Sequence, residues 1–264
     1  FKQKTAYEIP LRLVGSEMCI RDSYWIYGHH AVVGALLNDN RVKYEVYYTS
    51  EAEKKLKSEV KIENFNILAI KKTREEIDFI LKGISNHQGI CIRVEKIQPP
   101  HLSDFINNLN KETSIIFLLD QLDDPQNVGA IFRSALAFDI DGIILTDHNS
   151  VAENSFLAKT ASSAIDKVPF TKIQNISSCI KILKDKGYWI YGLDMKAQSS
   201  ITDITFPNKI VFVLGSESKG MRRVTSSLCD ENLKIKINDN LESLNVSNTA
   251  AIMMFYVSNI NLKS

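Results

Sequence analysis

The chain has 264 residues, 44% of them apolar, and its 32 Lys and Arg nearly balance 31 Asp and Glu to leave a net charge of +1. That length accommodates one large domain or two small ones. No apolar run approaches the roughly 18–20 residues a membrane span needs, so no membrane partner is expected, and near-neutrality announces no nucleic-acid binder while leaving room for a local basic patch. Cys19, Cys91, Cys179 and Cys229 lie far apart without a C-x-x-C pair, and the histidines show no H-x-x-x-H spacing. Free thiols in a reducing, cytoplasmic setting are expected, with no metal site.

Residues 1–23 mix Lys2, Lys4, Pro10, Arg12, Gly15 and Arg21 with short apolar pieces and show no period. Pro10 and Arg12 interrupt what a secretory signal would need as its apolar core. The runs Lys2 to Ile9 and Val14 to Ser23 resemble a translated sequencing adapter, with a natural disordered leader as the alternative, and the segment is set apart from the fold. From Tyr24 a small α/β unit is expected to run to residue 97. Gly28 precedes a helical pattern through Leu37; Tyr44 to Tyr48 reads as a strand and Glu51 to Val60 as a charged helix. Asn66 to Ile70 is a strand, and Thr73 to Leu81 a helix whose Glu76 follows Thr73 at capping-box spacing. Gly89 to Val94 is a further strand, and Gln98-Pro99-Pro100 opens a linker expected over residues 98–113.

A second unit is expected over residues 114–264, in β/α alternation. Strands read as Ile115–Asp120, Gly142–Thr146, Tyr188–Gly192, Ile210–Leu214 and Leu233–Ile237. Helical patterns fall at Val128–Phe138, Ser155–Ser163, Ser177–Lys186, Arg222–Cys229 and Ser247–Asn259. Such alternation predicts a parallel sheet with helices on both faces.

Three polar clusters punctuate this unit. In the first, Asn127 stands where a helix cap would, and Gly129 and Arg133, four apart, share a helical face, the glycine clearing space before the guanidinium. An arginine gripping a phosphate or ribose hydroxyl and a plain surface arginine both fit that spacing. The second, Gly215-Ser216-Glu217-Ser218-Lys219-Gly220, follows a buried-strand pattern ending at Leu214, where a glycine lets the backbone turn and approach a ligand. It carries neither the dinucleotide fingerprint nor the P-loop signature; a tight turn is the plain alternative, and Lys219, Arg222 and Arg223 give it a basic edge. The third, Ser243-Leu244-Asn245-Val246-Ser247, either caps a helix or lines a pocket.

Together, Asn127-x-Gly129-x-x-x-Arg133, Leu214-Gly215-Ser216-Glu217-x-x-Gly220 and Ser243-Leu244-Asn245-Val246-Ser247 resemble the three motifs of the SpoU (TrmH-type) RNA 2′-O-ribose methyltransferases of the SPOUT class. The resemblance runs from Trp25 to the end. It implies an α/β domain with a deep trefoil knot, a topology outside the usual chain rules, preceded by a small ribosomal-protein-like RNA-binding domain. It implies S-adenosylmethionine held by backbone groups of Gly215, Ile235 and Leu244, with Leu214, Ser216, Gly220 and Ile237 beside them. Arg133 becomes the catalytic arginine, oriented with the ribose by Asn127, Glu217, Ser243 and Asn245. RNA would be held by Arg133, Lys219, Arg222 and Arg223, and a homodimer is implied, with Ile252, Met253, Phe255 and Tyr256 as candidate contacts. The N-terminal unit points to ribosomal RNA of the large subunit (23S type) as the partner; transfer RNA, or RNA binding without catalysis, are the alternatives. Where the family carries Ile-Pro-Met-x-Gly, this chain has Ile235-Lys236-Ile237-Asn238-Asp239, and Ser218 and Asn248 also depart from the pattern.

Overall fold

The computed structural model describes residues 23–61, 64–109, 111–147, 151–216 and 220–260. Except for Ser23, the expected leader lies outside them. Ser23 itself opens a strand, so the first described element starts one residue before the expected boundary.

The N-terminal unit runs β1 (Ser23–Tyr27), α1 (His29–Leu37), β2 (Lys43–Tyr48), α2 (Ser50–Glu59), β3 (Leu68–Lys71), α3 (Arg74–Ile80) and β4 (Ile90–Glu95). Its sheet has the order β1-β4-β2-β3, with β4 antiparallel to both neighbours and β2 parallel to β3. Ile26, Val46, Ile90, Ile92 and Val94 from the sheet bury against Val32, Leu36 and Leu56 from α1 and α2. The capping box forms: the Thr73 hydroxyl accepts from the Glu76 amide, and the Glu76 carboxylate accepts from the Thr73 amide. β1 joins the expected elements because it pairs with the distant β4, a tertiary partner that no local pattern signals.

The second unit contains α4 (Leu102–Asn108), β5 (Ser114–Asp120), α5 (Pro125–Ala137), β6 (Gly142–Thr146), α6 (Ser155–Ala161), β7 (Phe170–Ile173) and α7 (Ile176–Asp185). It continues with β8 (Trp189–Leu193), β9 (Ser199–Ser200), β10 (Lys209–Gly215), α8 (Arg223–Leu228), β11 (Glu231–Lys234) and α9 (Val246–Asn259). Strand order is β7-β6-β5-β10-β8-β11-β9, and every registered pair is parallel. All seven residues of β5 are buried, as an interior parallel strand covered on both faces requires. On one face Val128, Phe132, Met253 and Met254 of α5 and α9 pack with Phe117 and Phe212 of the sheet. On the other, Phe105 of α4 and Ile180 and Leu183 of α7 pack with Ile116, Val211 and Val213. Helices therefore cover both faces, as β/α alternation predicts.

Two expectations change. The segment read as a linker over 98–113 contains α4, whose Phe105 and Ile106 are core residues; Pro99 and Pro100 precede a helix instead of opening a free tether. The last strand ends at Lys234 instead of Ile237. Its outer neighbour β9 has only two residues, paired with Leu233 and Lys234, so no ladder partner continues beyond them. Among the described residues, Cys91, Cys179 and Cys229 are free thiols, and no helix is long and apolar enough to cross a membrane.

Candidate cofactor and RNA site

Strands β5 and β10 lie side by side in register, so Asp120 and Gly215 sit next to each other at the carboxyl edge of the sheet. In open α/β sheets that edge is where ligands bind. The loop leaving β10 closes on itself: the Gly220 amide donates to the Ser216 carbonyl at 2.7 Å, and Gly220 turns with φ +65. A Cβ on Gly215 would lie 2.1 Å from the Met221 nitrogen and 2.2 Å from the Gly220 carbonyl carbon. Position 215 is therefore held to glycine by its own loop, which returns across it. Leu214 is only 2% exposed, so its side chain belongs to the core and its backbone alone meets the edge; Ser216 is half-buried. Glu217, Ser218 and Lys219 lie outside the described residues.

Asp120 is 1% exposed and fully engaged. Arg222 donates from Nη2 to Oδ1 at 2.7 Å and from Nε to Oδ2 at 3.2 Å, and the Thr225 hydroxyl donates to Oδ2 at 2.7 Å. Arg222, expected to hold RNA, is thus a clamp that fastens the start of α8 to the sheet edge, its charge matched by a buried carboxylate. Arg223 beside it is exposed. Burial pushes the Cys229 thiol at the end of α8 up to about 12, so this thiol is no nucleophile at neutral pH.

Helix α5 is capped by Asp124, which accepts from the Gln126 amide, with Pro125 in the first helical turn. Asn127, expected as the cap, lies inside the helix and bridges instead. Its Nδ2 donates to Asp124 Oδ2 at 2.8 Å, and its Oδ1 accepts from Asn245 Nδ2 at 3.0 Å, a bond between residues 118 positions apart. Asn245 is the N-cap of α9, its Oδ1 accepting from the amides of Ser247 and Asn248. The first and third polar clusters are therefore stitched together by two carboxamides, each also tying down a helix start. Gly129 faces α6: a Cβ there would lie 2.7 Å from Thr160 Cβ and 2.9 Å from the Ala161 nitrogen. It clears space for a crossing helix, not for the guanidinium. Arg133, one turn on, is exposed and makes no ion pair among the described residues.

Between β11 and α9 the chain runs as a loop along the same side. Ile235, Ile237 and Leu244 are half-buried and Ser243 exposed. Residues 236, 237 and 242–244 make no backbone hydrogen bond among the described residues. Lys236 lies 4.0 Å from Asp203 with both side chains exposed, a surface pair of small energetic weight, and Asp239 is exposed. Neither departure enters the interior. The supporting roles of Asp120 and Asp124 escaped the sequence pattern, although Asp120 closes β5 and Asp124 stands in the polar run that follows it.

Residues 114–255 match the SpoU rRNA Methylase family, and residues 25–100 match the family described as RNA 2′-O ribose methyltransferase substrate binding. This chain belongs to the SpoU rRNA methylase family. As a member it is an RNA ribose 2′-O-methyltransferase with a substrate-binding unit at its N-terminal end. A relative from Neisseria meningitidis named as the 23S rRNA (guanosine-2′-O-)-methyltransferase RlmB is 32% identical over 232 residues, 87% of this chain and 92% of its own. An uncharacterized tRNA/rRNA methyltransferase from Borreliella burgdorferi is 34% identical over 216 residues, 79% of this chain and 93% of its own. The solved structure of an AdoMet-bound rRNA methyltransferase from Sinorhizobium meliloti shares the fold, with a TM-score of 0.75 over 96% of each chain at 18% identity. Among the described residues no group of His, Cys, Asp or Glu is placed to hold a metal ion in this SpoU-family chain.

Proposed function

We propose that this chain transfers the methyl group of S-adenosylmethionine to a ribose 2′-hydroxyl, that of a guanosine in large-subunit ribosomal RNA, and that it works as a homodimer. The observation that carries this reading is the Asn127–Asn245 bond. It joins the helix bearing Arg133 to the start of α9, directly after Ser243 and Leu244, at the edge where the Gly215 loop also ends.

The residues present fit the methyl donor. An adenine needs apolar contact on its faces and hydrogen bonds at its edge; half-buried Ile235, Ile237 and Leu244 and the uncommitted backbone of residues 236, 237 and 242–244 offer both. When bound, S-adenosylmethionine supplies an electrophilic methyl group. The loops around Gly215 and Leu244 would hold it, and the exposed Arg133 and Arg223 would hold RNA phosphates. Arg133 cannot act as a base, since a guanidinium keeps its proton. Its work is to stabilise the developing alkoxide or grip the neighbouring phosphate, with water or that phosphate taking the proton. Asn127 and Asn245 fix the helix that carries Arg133; Glu217, Ser243 and Lys219 are proposed to meet ribose and RNA from the flanking loops.

Ribosomal RNA as substrate is supported by the N-terminal unit and by relatives named for 23S ribosomal RNA. The dimer face is proposed at α9 and α5, where Phe255 is 57%, Ile252 40% and Leu136 39% exposed. Met253 is buried and Tyr256 packs on Phe206, so these two belong to the core. The trefoil knot is part of the same proposal, supported by the return of the chain from β11 to α9, which packs on α5 across β10. The test is incubation of the full chain with methyl-labelled S-adenosylmethionine and in-vitro transcripts of large-subunit ribosomal RNA and of transfer RNA. Label at a 2′-O-methylguanosine of the ribosomal transcript is expected. Label confined to transfer RNA overturns the substrate, and no label in any RNA overturns the activity.

A further inference from the structure

The two units meet through a buried charge cluster. Arg41, from the loop after α1, has a side chain with 0% exposure; Glu153 and Asp166 of the second unit have 6% and 1%. Arg41 donates from Nε to Asp166 Oδ1 at 2.6 Å and from Nη1 to Glu153 Oε1 at 2.9 Å and to the Glu95 carbonyl at 3.0 Å. The Tyr24 hydroxyl donates to Glu153 Oε1 at 2.5 Å, the Ile97 amide to Glu153 Oε2 at 2.9 Å, and Asn38 Nδ2 to Asp166 Oδ1 at 3.0 Å. One cation thus serves two buried carboxylates, and β1, the loop after α1, the end of β4 and the segment that follows it all contribute bonds across the junction. Burying such a set gains little stability over apolar packing, whereas a directional cluster of this kind defines one relative orientation and opposes others.

Apolar contacts agree. Ala158 of α6 is part of the N-terminal core. A Cβ on Gly34 of α1 would lie 2.7 Å from Ser163 Cβ, so α1 sits flush on the turn after α6. The opposite side of α6 meets Gly129, one turn from Arg133. Contacts therefore run without a break from the RNA-binding unit through α6 to the helix of the catalytic arginine.

We propose that Arg41 is a positioning residue: with Tyr24, Glu153 and Asp166 it fixes the span between the N-terminal unit and Arg133, and so selects which ribose of a bound RNA meets the methyl donor. This rests on the methyltransferase reading above. RNA gripped by a rigidly held unit presents one nucleotide to the site, and a loosened unit presents several.

The test uses the full chain, an in-vitro transcript of large-subunit ribosomal RNA, S-adenosylmethionine and nucleotide-resolution mapping of 2′-O-methylation. Two variants are compared with the wild type: R41M, which breaks the cluster, and G34L, which wedges α1 off Ser163 while leaving every ion pair its partners. G34L keeps the question answerable if R41M fails to fold. In each folded variant KM for RNA should rise at least about tenfold, with kcat at saturating RNA within about threefold. Methylation should spread from one ribose to its neighbours, while the dissociation constant for S-adenosylmethionine stays within about twofold. A folded variant that modifies the same single ribose with unchanged KM overturns the proposal. A wild type that transfers no methyl group refutes the methyltransferase reading instead.

Discussion

Arg41 and Arg133 are the same side chain in opposite settings. Arg41 is buried, held by two carboxylates, a hydroxyl and a carbonyl; Arg133 is exposed and has no ion-pair partner among the described residues. A guanidinium whose Nε and Nη1 are bonded inside the protein holds the protein together. One whose donors are unspent has them available for a phosphate or a developing oxyanion. The contrast extends to the surroundings: at the junction Glu153 and Asp166 are closed in, whereas at the sheet edge the 235–244 loop leaves backbone groups uncommitted. Substitutions at the junction should therefore cost stability, and substitutions at the edge should cost activity.

The largest stability effect belongs to Arg41. R41M leaves Glu153 and Asp166 as buried, uncompensated charges, which should destabilise the chain by about 3–5 kcal/mol in urea unfolding; a loss below about 1 kcal/mol, the size of a surface pair, would erase the distinction between the two arginines. Asn245 lies between the extremes, since it caps α9 and bonds to Asn127. N245A should cost about 1–2 kcal/mol and lower methyl transfer far more than that loss implies. Stability and activity falling in proportion would make it a plain cap.

Cys179 offers a smaller test, remote from both arginines. Burial pushes its thiol up to about 12. Above the ordinary thiol range the unfolded chain releases this proton while the folded chain keeps it, so the folded state loses stability as pH rises toward that value. The slope from this one group is at most about 1.4 kcal/mol per pH unit, and its contribution is intact at neutral pH. C179A should flatten the fall in unfolding free energy between about pH 9 and 11 and leave methyl transfer at pH 7.5 unchanged. An unaltered slope would show that the thiol is not held protonated.

The α/β order was legible because apolar runs and helical periods alternate from Ser114 onward, and the candidate edge was legible because its polar clusters follow strand ends. What escaped depends on distant partners. β1 exists by pairing with β4. The role of Gly129 is set by Thr160, that of Gly215 by the return of its own loop, and that of Arg222 by Asp120. Nothing near Arg41 in sequence announces Glu153 or Asp166, so the junction read as a Pro-rich tether beside unremarkable charges. Local spacing showed which residues are functional candidates; only the packing showed which of them are already occupied.

The most direct test is R133A, assayed for methyl transfer and, in parallel, for binding of S-adenosylmethionine and for thermal unfolding. Transfer should fall by about 10²–10³ or more, the range for losing a group that stabilises a developing oxyanion, while cofactor affinity and melting temperature stay at wild-type values. Turnover retained within a few-fold of wild type would contradict the assignment of Arg133 and, with it, the chemistry proposed for this edge of the sheet.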